Sequence, residues 1–412
     1  MGIGIPDEQH YPKPAPQNPT GGLDEGARHL RTARRWAQGK LWRRRLLTTR
    51  GRVGRHGNEG RVGKTRPFDA KRRWGGKSTA SVVPARAVVS NSLLVFPVAT
   101  TRTTSPTEAA DRLRRGELVA FPTETVYGLG ADAFQPDAVR RIFEAKGRPA
   151  DNPLIVHLRR RDQIGQVAAR VPSVAQHLLD AFAPGPLTLI LPKHEDLPSV
   201  VTAGLETVGV RVPRLPLTQS FLEACDTPVP APSANRSGRP SPTSWEAVEH
   251  DLAGRIDCIL QGGRTDAGVE STVVDCTTDP ATVLRPGAVS VESLRRALGA
   301  VQVPSSDADE APRSPGTRHR HYAPSAQVRL VEDPSEAVSG DRHAYVGLDV
   351  PPHPDALGAV YVEESVKAYA HDLFHIFRTC DENEVEVIYA QTVPPNGLGR
   401  ALNDRLRRAA AR

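Results

Sequence analysis

Between residues 99 and 301, apolar runs of three to five residues alternate with amphipathic stretches of helical length. A short apolar run buries both its faces only inside a sheet. An apolar stripe at i, i+3, i+4 buries its single face best against such a sheet, so the alternation calls for a layered α/β fold. The runs are Leu118–Phe121, Leu154–Leu158, Leu187–Leu191, Val208–Val212, Ile256–Leu260, Ser271–Asp275 and Thr282–Leu284. Helices are predicted over 105–115, with Ser105 as N-cap and Pro106 in the first turn, and over Pro136–Lys146, where Val139, Ile142 and Phe143 share a face. A third is predicted over Pro172–Phe182. The order has no strict repeat, which implies a mixed rather than an all-parallel sheet.

Residues 1–98 read differently. They carry 20 Lys/Arg against 6 Asp/Glu, a net +14, which leaves 34 against 41, a net −7, in 99–412. The chain's overall +7 therefore belongs to the extension. A body of net −7 lacks the electrostatic footprint of a general nucleic-acid binder. Three of the four tryptophans (Trp36, Trp42, Trp74) lie in this Arg/Gly-rich stretch without a core pattern around them. The expectation is disorder, or an extension wrongly included ahead of a working body that starts near residue 99. Two segments imitate a phosphate-binding loop. Gly57 to Gly63 is one residue too long, with Asn58 where glycine belongs, and Gly75–Thr79 lacks the upstream glycine; neither follows a strand.

The four cysteines (Cys225, Cys258, Cys276, Cys380) form no C-x-x-C pair, so neither a zinc site nor a disulfide framework is expected. No apolar run approaches the roughly 18 residues that span a bilayer, and no signal peptide opens the chain. The expected compartment is the cytoplasm, with no membrane partner. Residues 302–326 read as a linker. Beyond it, 327–412 read as a small α/β domain with strands at Val328–Val331, Ala344–Leu348 and Val385–Tyr389 and helices at Val366–Arg378 and Ala401–Ala410.

Polar, Gly/Pro-rich segments follow several of the apolar runs, which puts functional groups on loops at strand ends. They are Phe121–Ala133 (FPTETVYGLGADA), Ala145–Leu158 (AKGRPADNPLIVHL), Thr207–Pro216 (TVGVRVPRLP) and Ala231–Thr243 (APSANRSGRPSPT). Gly268–Asp275 (GVESTVVD) and Leu284–Gly287 (LRPG) complete the set. Lys146, Arg148 and Arg211 supply positive charge for phosphates or a carboxylate. Thr123, Thr125, Ser233, Asn235, Ser271 and Thr272 supply neutral donors and acceptors. The assembly suits an anionic nucleotide plus a small zwitterion.

These segments, above all Lys146-x-Arg148 with Ser233-x-Asn235, resemble the YrdC-domain family of threonylcarbamoyl-AMP synthases. The likeness spans nearly all of 105–300, and the SPGTRHRHYAP linker with the terminal domain resembles the family's long form. The resemblance implies a YrdC-like twisted open mixed sheet with flanking helices over 99–301, plus the small C-terminal α/β domain. It implies synthesis of threonylcarbamoyl-AMP and pyrophosphate from L-threonine, bicarbonate and ATP, a nucleotidyltransferase reaction. A downstream threonylcarbamoyl transferase complex would then modify tRNA, which this chain serves indirectly. By motif position Thr125, His157, Arg211, Ala231 and Ser271 would surround threonine. Arg148, Asn152, Thr207, Ser233, Ser241, Arg285 and Tyr322 would contact ATP. Lys146, Arg148, Ser233 and Asn235 would form the catalytic set, with Lys146 neutralising charge on the phosphates. Magnesium is expected with ATP, although no dedicated carboxylate cage is visible. The linker around Tyr322, rather than the terminal domain's own surface, is expected to close over the nucleotide. Two other readings are an RNA-binding module, which the net −7 opposes, and carbamoyl transfer in hydrogenase maturation, which would bring Cys-rich zinc modules absent here.

Overall fold

The computed structural model describes residues 99–303 and 322–411. The basic extension with its two phosphate-loop imitations, residues 304–321 of the linker, and Arg412 lie outside the described residues.

Residues 99–303 build two mixed sheets. The first has the order β1 (Thr101–Thr103), β8 (Cys258–Leu260), β2 (Val119–Phe121), β3 (Gly128–Gly130), parallel except for the β2–β3 pair. The second runs β10 (Thr282–Arg285), β9 (Thr272–Asp275), β5 (Leu187–Pro192), β6 (Thr207–Arg211), β4 (Ile155–His157), β7 (Val229–Pro230). Its pairs β9–β5 and β6–β4 are parallel and the other three antiparallel. The two sheets meet edge to edge. Leu129 N donates to Pro232 O at 2.9 Å, Ala133 N donates to Pro228 O at 3.0 Å, and Gly128 bridges to Ser233. The predicted mixed sheet with flanking helices is present as these two joined sheets.

Helices cover them for legible reasons. In α1 (Pro106–Arg114) the Ser105 hydroxyl accepts from Glu108 N, proline occupies the first turn, and Ala109, Ala110 and Leu113 are buried. Helix α2 (Pro136–Lys146) buries Val139, Ile142 and Phe143 as its spacing predicts, and ends on Gly147 in the left-handed region at φ 62°. That glycine turns the chain directly after Lys146, so both cations of Lys146-x-Arg148 stand at one corner. Helix α3 (Ser173–Phe182) starts one residue after Pro172. Helices α4 (Ser199–Thr202), α5 (Pro216–Cys225), α6 (Trp245–Leu252) and α7 (Val291–Leu298) complete this part.

Residues 322–411 hold a parallel sheet in the order β11 (Gln327–Val331), β14 (Val387–Gln391), β12 (Gly340–Gly347), β13 (Leu357–Val362). Helices α8 (Val366–Glu382) and α9 (Gly399–Ala410) accompany it. Its core of Tyr369, Leu373, Phe374, Phe377, Ile388, Leu402 and Leu406 also takes in Tyr322 and, from the other part, Val126.

Two buried ion pairs join the parts. Arg378 of α8 donates to Asp251 Oδ2 at 2.8 Å and to Pro240 O at 2.5 Å, while Arg239 reaches Asp251 Oδ1 at 2.8 Å. Burial alone would raise the Asp251 carboxyl. Its bonds to Arg378 and Arg239 outweigh that and hold it near 2. Arg405 of α9 meets Glu270 at 2.6 Å. Backbone contact is equally close, since a Cβ on Gly268 (φ 69°) would stand 2.3 Å from His371 Cα and 2.4 Å from its carbonyl oxygen. Gly268→Ala is therefore expected to cost at least 1–3 kcal/mol, from overpacking together with an unfavourable φ. A thermal midpoint within 1 °C of the parent would refute this contact.

Candidate active site

The loop between β2 and β3 carries Thr123, Glu124 and Thr125, all at most 1% exposed. Thr123 Oγ1 accepts from the amides of Thr125 (3.1 Å) and Val126 (3.3 Å), folding the loop back on itself. Arg211, at the end of β6, donates from Nη1 to Thr125 Oγ1 at 2.8 Å and from Nε to Gly185 O at 3.3 Å. Its Nη2 stands 2.7 Å from Glu124 Oε1, an ion pair outside aligned hydrogen-bond geometry. His157, in register with Arg211 on the adjacent parallel strand, is buried, with Nδ1 3.1 Å from Ile155 O. Burial, then the charge of Arg211, pushes the imidazole down to about 3, so at neutral pH it offers an uncharged ring.

Next to this group, Ser271 Oγ lies 2.8 Å from Thr188 Oγ1. Arg285 donates to the Ser271 carbonyl at 3.0 Å and to its hydroxyl at 3.2 Å. Ser241 Oγ donates to Glu270 Oε1 at 2.6 Å. Ala231 N donates to Ile155 O at 2.8 Å, so a ligand could meet only its carbonyl or methyl.

A third group gathers at the end of α2. Lys146 Nζ donates to the carbonyls of Ser233, at 2.5 Å, and Asn235. Two of its three donors are thereby used among the described residues. The Ser233 hydroxyl donates to Asn235 Oδ1 at 2.6 Å, and Asn235 Nδ2 holds the carbonyls of Arg236 and Arg239. Arg148 donates to Asn152 O at 3.2 Å and Pro153 O at 3.0 Å. Burial first, then Arg148, lowers the Lys146 ammonium well below the ordinary lysine range. Burial also brings the Arg148 guanidinium down to about 10, and the like charge of Arg285 adds to that lowering. An anion brought beside these buried cations would raise their proton affinity again. Tyr322 is buried at φ 68°, stacked on Phe374 with centroids 5.5 Å apart.

The structure therefore brings the sequence-predicted residues into three connected groups, with Thr207 apart from them. Thr207 opens β6 and is half-buried, four residues before Arg211, or about 13 Å at a strand's rise. Sequence reasoning passed over Glu124, Thr188, Glu270 and Arg405. Glu124 and Glu270 were findable, since each lies inside a quoted motif among hydroxyl residues. Arg405 carried no signal.

Residues 111–287 match the family Sua5_yciO_yrdC, described as telomere recombination, and residues 289–411 match the family described as threonylcarbamoyl-AMP synthase, C-terminal domain. The threonylcarbamoyl-AMP synthase of Pyrococcus abyssi is 44% identical over 315 residues, covering 73% of this chain and 93% of that protein. The chain belongs to the threonylcarbamoyl-AMP synthase family. The Bacillus subtilis threonylcarbamoyl-AMP synthase is also 44% identical, over 74% of this chain and 92% of its own length. The crystal structure of the P. abyssi synthase complexed with L-threonine superposes with a TM-score of 0.69 at 42% identity, covering 76% of this chain and 97% of that one.

In this chain, His157 makes stability depend on pH. Its proton affinity is lower folded, at about 3, than unfolded, at 6.5, so the unfolded state binds the extra proton between those values. Stability is lost as pH falls from 6.5 towards 3, on the order of a few kcal/mol in full. His157→Gln is expected to flatten that acid limb in urea titrations run at pH 7, 5.5 and 4.5. Parallel limbs for the two proteins would exclude a buried neutral histidine.

Proposed function

We propose that this chain is an L-threonylcarbamoyladenylate synthase. The observation that carries the reading is the placing of one buried group, Arg211 with Thr125 and neutral His157, beside the buried cations Lys146, Arg148 and Arg285. Threonine's carboxylate would meet Arg211, with His157, Ala231 and Ser271 around the rest of the molecule. Arg148, Asn152, Ser233, Ser241, Arg285 and Tyr322 would take the nucleotide, extended far enough to reach Thr207. The threonine amine attacks the carbon of bicarbonate with loss of water, giving an N-carboxylate. One oxygen of that carbamate forms a bond to the α-phosphorus of ATP, and the bond from that phosphorus to pyrophosphate breaks. The reaction is thus a nucleotidyl transfer. Lys146 and Arg148 oppose the negative charge that builds on the phosphate oxygens, and the buried walls hold both reactants in line.

Among the described residues no cluster of three or more His, Cys, Asp or Glu side chains could hold a metal. A magnesium ion accompanying ATP would supply positive charge to the phosphates. Among the described residues no helix is long and apolar enough to cross a membrane. The product would pass in the cytoplasm to a transferase that modifies tRNA.

Mass spectrometry of the full chain incubated with threonine, bicarbonate and ATP tests the reading. The expected products are threonylcarbamoyl-AMP and an equal amount of pyrophosphate. ATP consumption that ignores threonine, or an adduct that needs carbamoyl phosphate, would overturn it.

A further inference from the structure

We propose that Arg405, on the last helix of the chain, is a positioning residue for the nucleotide subsite, acting on Ser241 through Glu270. The inference rests on the reading above and adds to it a residue from outside the catalytic sheets.

Arg405 is 0% exposed. Its Nε donates to Glu270 Oε2 at 2.6 Å, its Nη2 donates to Pro286 O at 3.1 Å, and its Nη1 is paired with neighbouring Asp404. The guanidinium carbon sits 5.1 Å from the centroid of the Tyr322 ring. Each partner outside its own helix leads to a residue assigned to ATP. Glu270 uses its other oxygen to accept from Ser241 at 2.6 Å. Pro286 follows Arg285 in the LRPG turn. Tyr322 is itself one of the set.

One planar group thus touches the segments that deliver Arg285 and Tyr322 and reaches Ser241 through Glu270. Only arginine presents five donors in a fixed plane with a face left for an aromatic ring.

Docking alone does not explain the charge. Ala401, Leu402, Leu406 and Ala409 already bury the apolar face of α9. A fully buried ion pair is seldom more stabilising than apolar residues of similar volume. Glu270 would otherwise suffer from its own burial. Arg405 and then Arg285 hold it below the usual carboxylate range, so it stays ionised as the acceptor that fixes the Ser241 hydroxyl. The C-terminal part therefore supplies a side chain to the organisation of the site, a task the sequence reading gave to the linker alone.

The test compares the full chain with Arg405→Gln, Arg405→Lys, Glu270→Gln and the double variant Glu270→Gln/Arg405→Gln. Asp372→Asn serves as control, because it removes the charge that faces half-exposed Arg264 across the same two parts, together with that beside neighbouring His371. Calorimetry reads the Kd of a non-hydrolysable ATP analogue and of threonine; steady-state assays read both KM values. Arg405→Gln and Glu270→Gln are each expected to weaken nucleotide binding about tenfold while leaving threonine within about twofold. The double variant should be no worse than the weaker single, since both changes cut one link. Arg405→Lys, which keeps the charge but not the fork, should fall between.

A fall in thermal midpoint with both Kd values unchanged, or an equal loss for both ligands, would reduce Arg405 to a structural latch and overturn the proposal. If Arg405→Gln does not fold, Glu270→Gln and Arg405→Lys decide by the same split. Should the parent chain make no threonylcarbamoyl-AMP, the synthase reading fails. The nucleotide Kd, which needs no turnover, still decides the role of Arg405.

Discussion

Lys146→Met is expected to lower threonine-dependent pyrophosphate release by at least 10²–10³-fold, the loss seen when a group aimed at developing charge is removed from a dry site. The ammonium is buried beside Arg148 and held by the carbonyls of Ser233 and Asn235, so methionine keeps the volume but not the charge. Threonine binding should change little, because its receptor is built around Arg211.

The lowered proton affinity of Lys146 adds a second readout. An anionic nucleotide raises that affinity back towards the ordinary lysine value, so binding should draw in a proton at any pH between the two. Calorimetry of an ATP analogue in buffers of different ionisation enthalpy would show that uptake in the parent and not in the variant. Turnover of Lys146→Met within tenfold of the parent, or identical proton uptake, would remove Lys146 from the site.

Glu124→Gln should have the second largest effect, on stability as well as on threonine. Glu124 is fully buried, 2.7 Å from Arg211, and also accepts from Arg214 N at 3.2 Å. Removing its charge leaves a buried guanidinium uncompensated, a loss of about 3–5 kcal/mol for pairs of this kind. It also frees the group that would meet the threonine carboxylate from one of its three fixed partners. Threonine affinity should fall at least tenfold while the ATP analogue binds as before. If denaturant midpoints and threonine Kd match the parent, Glu124 does not hold Arg211.

What could be read from the chain follows from what each residue's neighbours are. Helix α2 was legible because its stripe, its proline start and Gly147 are all local signals. The meeting of Lys146 with Ser233 and Asn235 was legible because these residues sit in contiguous motifs. Strand β3 was not, since Gly-Leu-Gly has no strand-forming residue but leucine. Its conformation is imposed by β2 and by crowding that would put a Cβ of Gly130 only 2.6 Å from Val229. Helices α6 and α7 have eight residues each, too few to establish a period. Arg405 stands in LNDRLRRAA, where any arginine reads as a solvated face. Its burial is decided by Glu270, 135 positions earlier in the chain, and no local pattern reports a partner that distant.

The same separation limits how this protein can be taken apart or recombined. Asp251 and Glu270 sit in one half and the arginines that neutralise them, Arg378 and Arg405, in the other. Neither half is electrically complete. A fragment ending at residue 303 would leave Asp251 with Arg239 but without Arg378 and Glu270 without Arg405, and would open Val126 to water. A hybrid that borrows its C-terminal half from a distant relative would inherit the same defect unless both arginines came with it. These four side chains therefore change hands as one unit of inheritance, although the chain lists them in two.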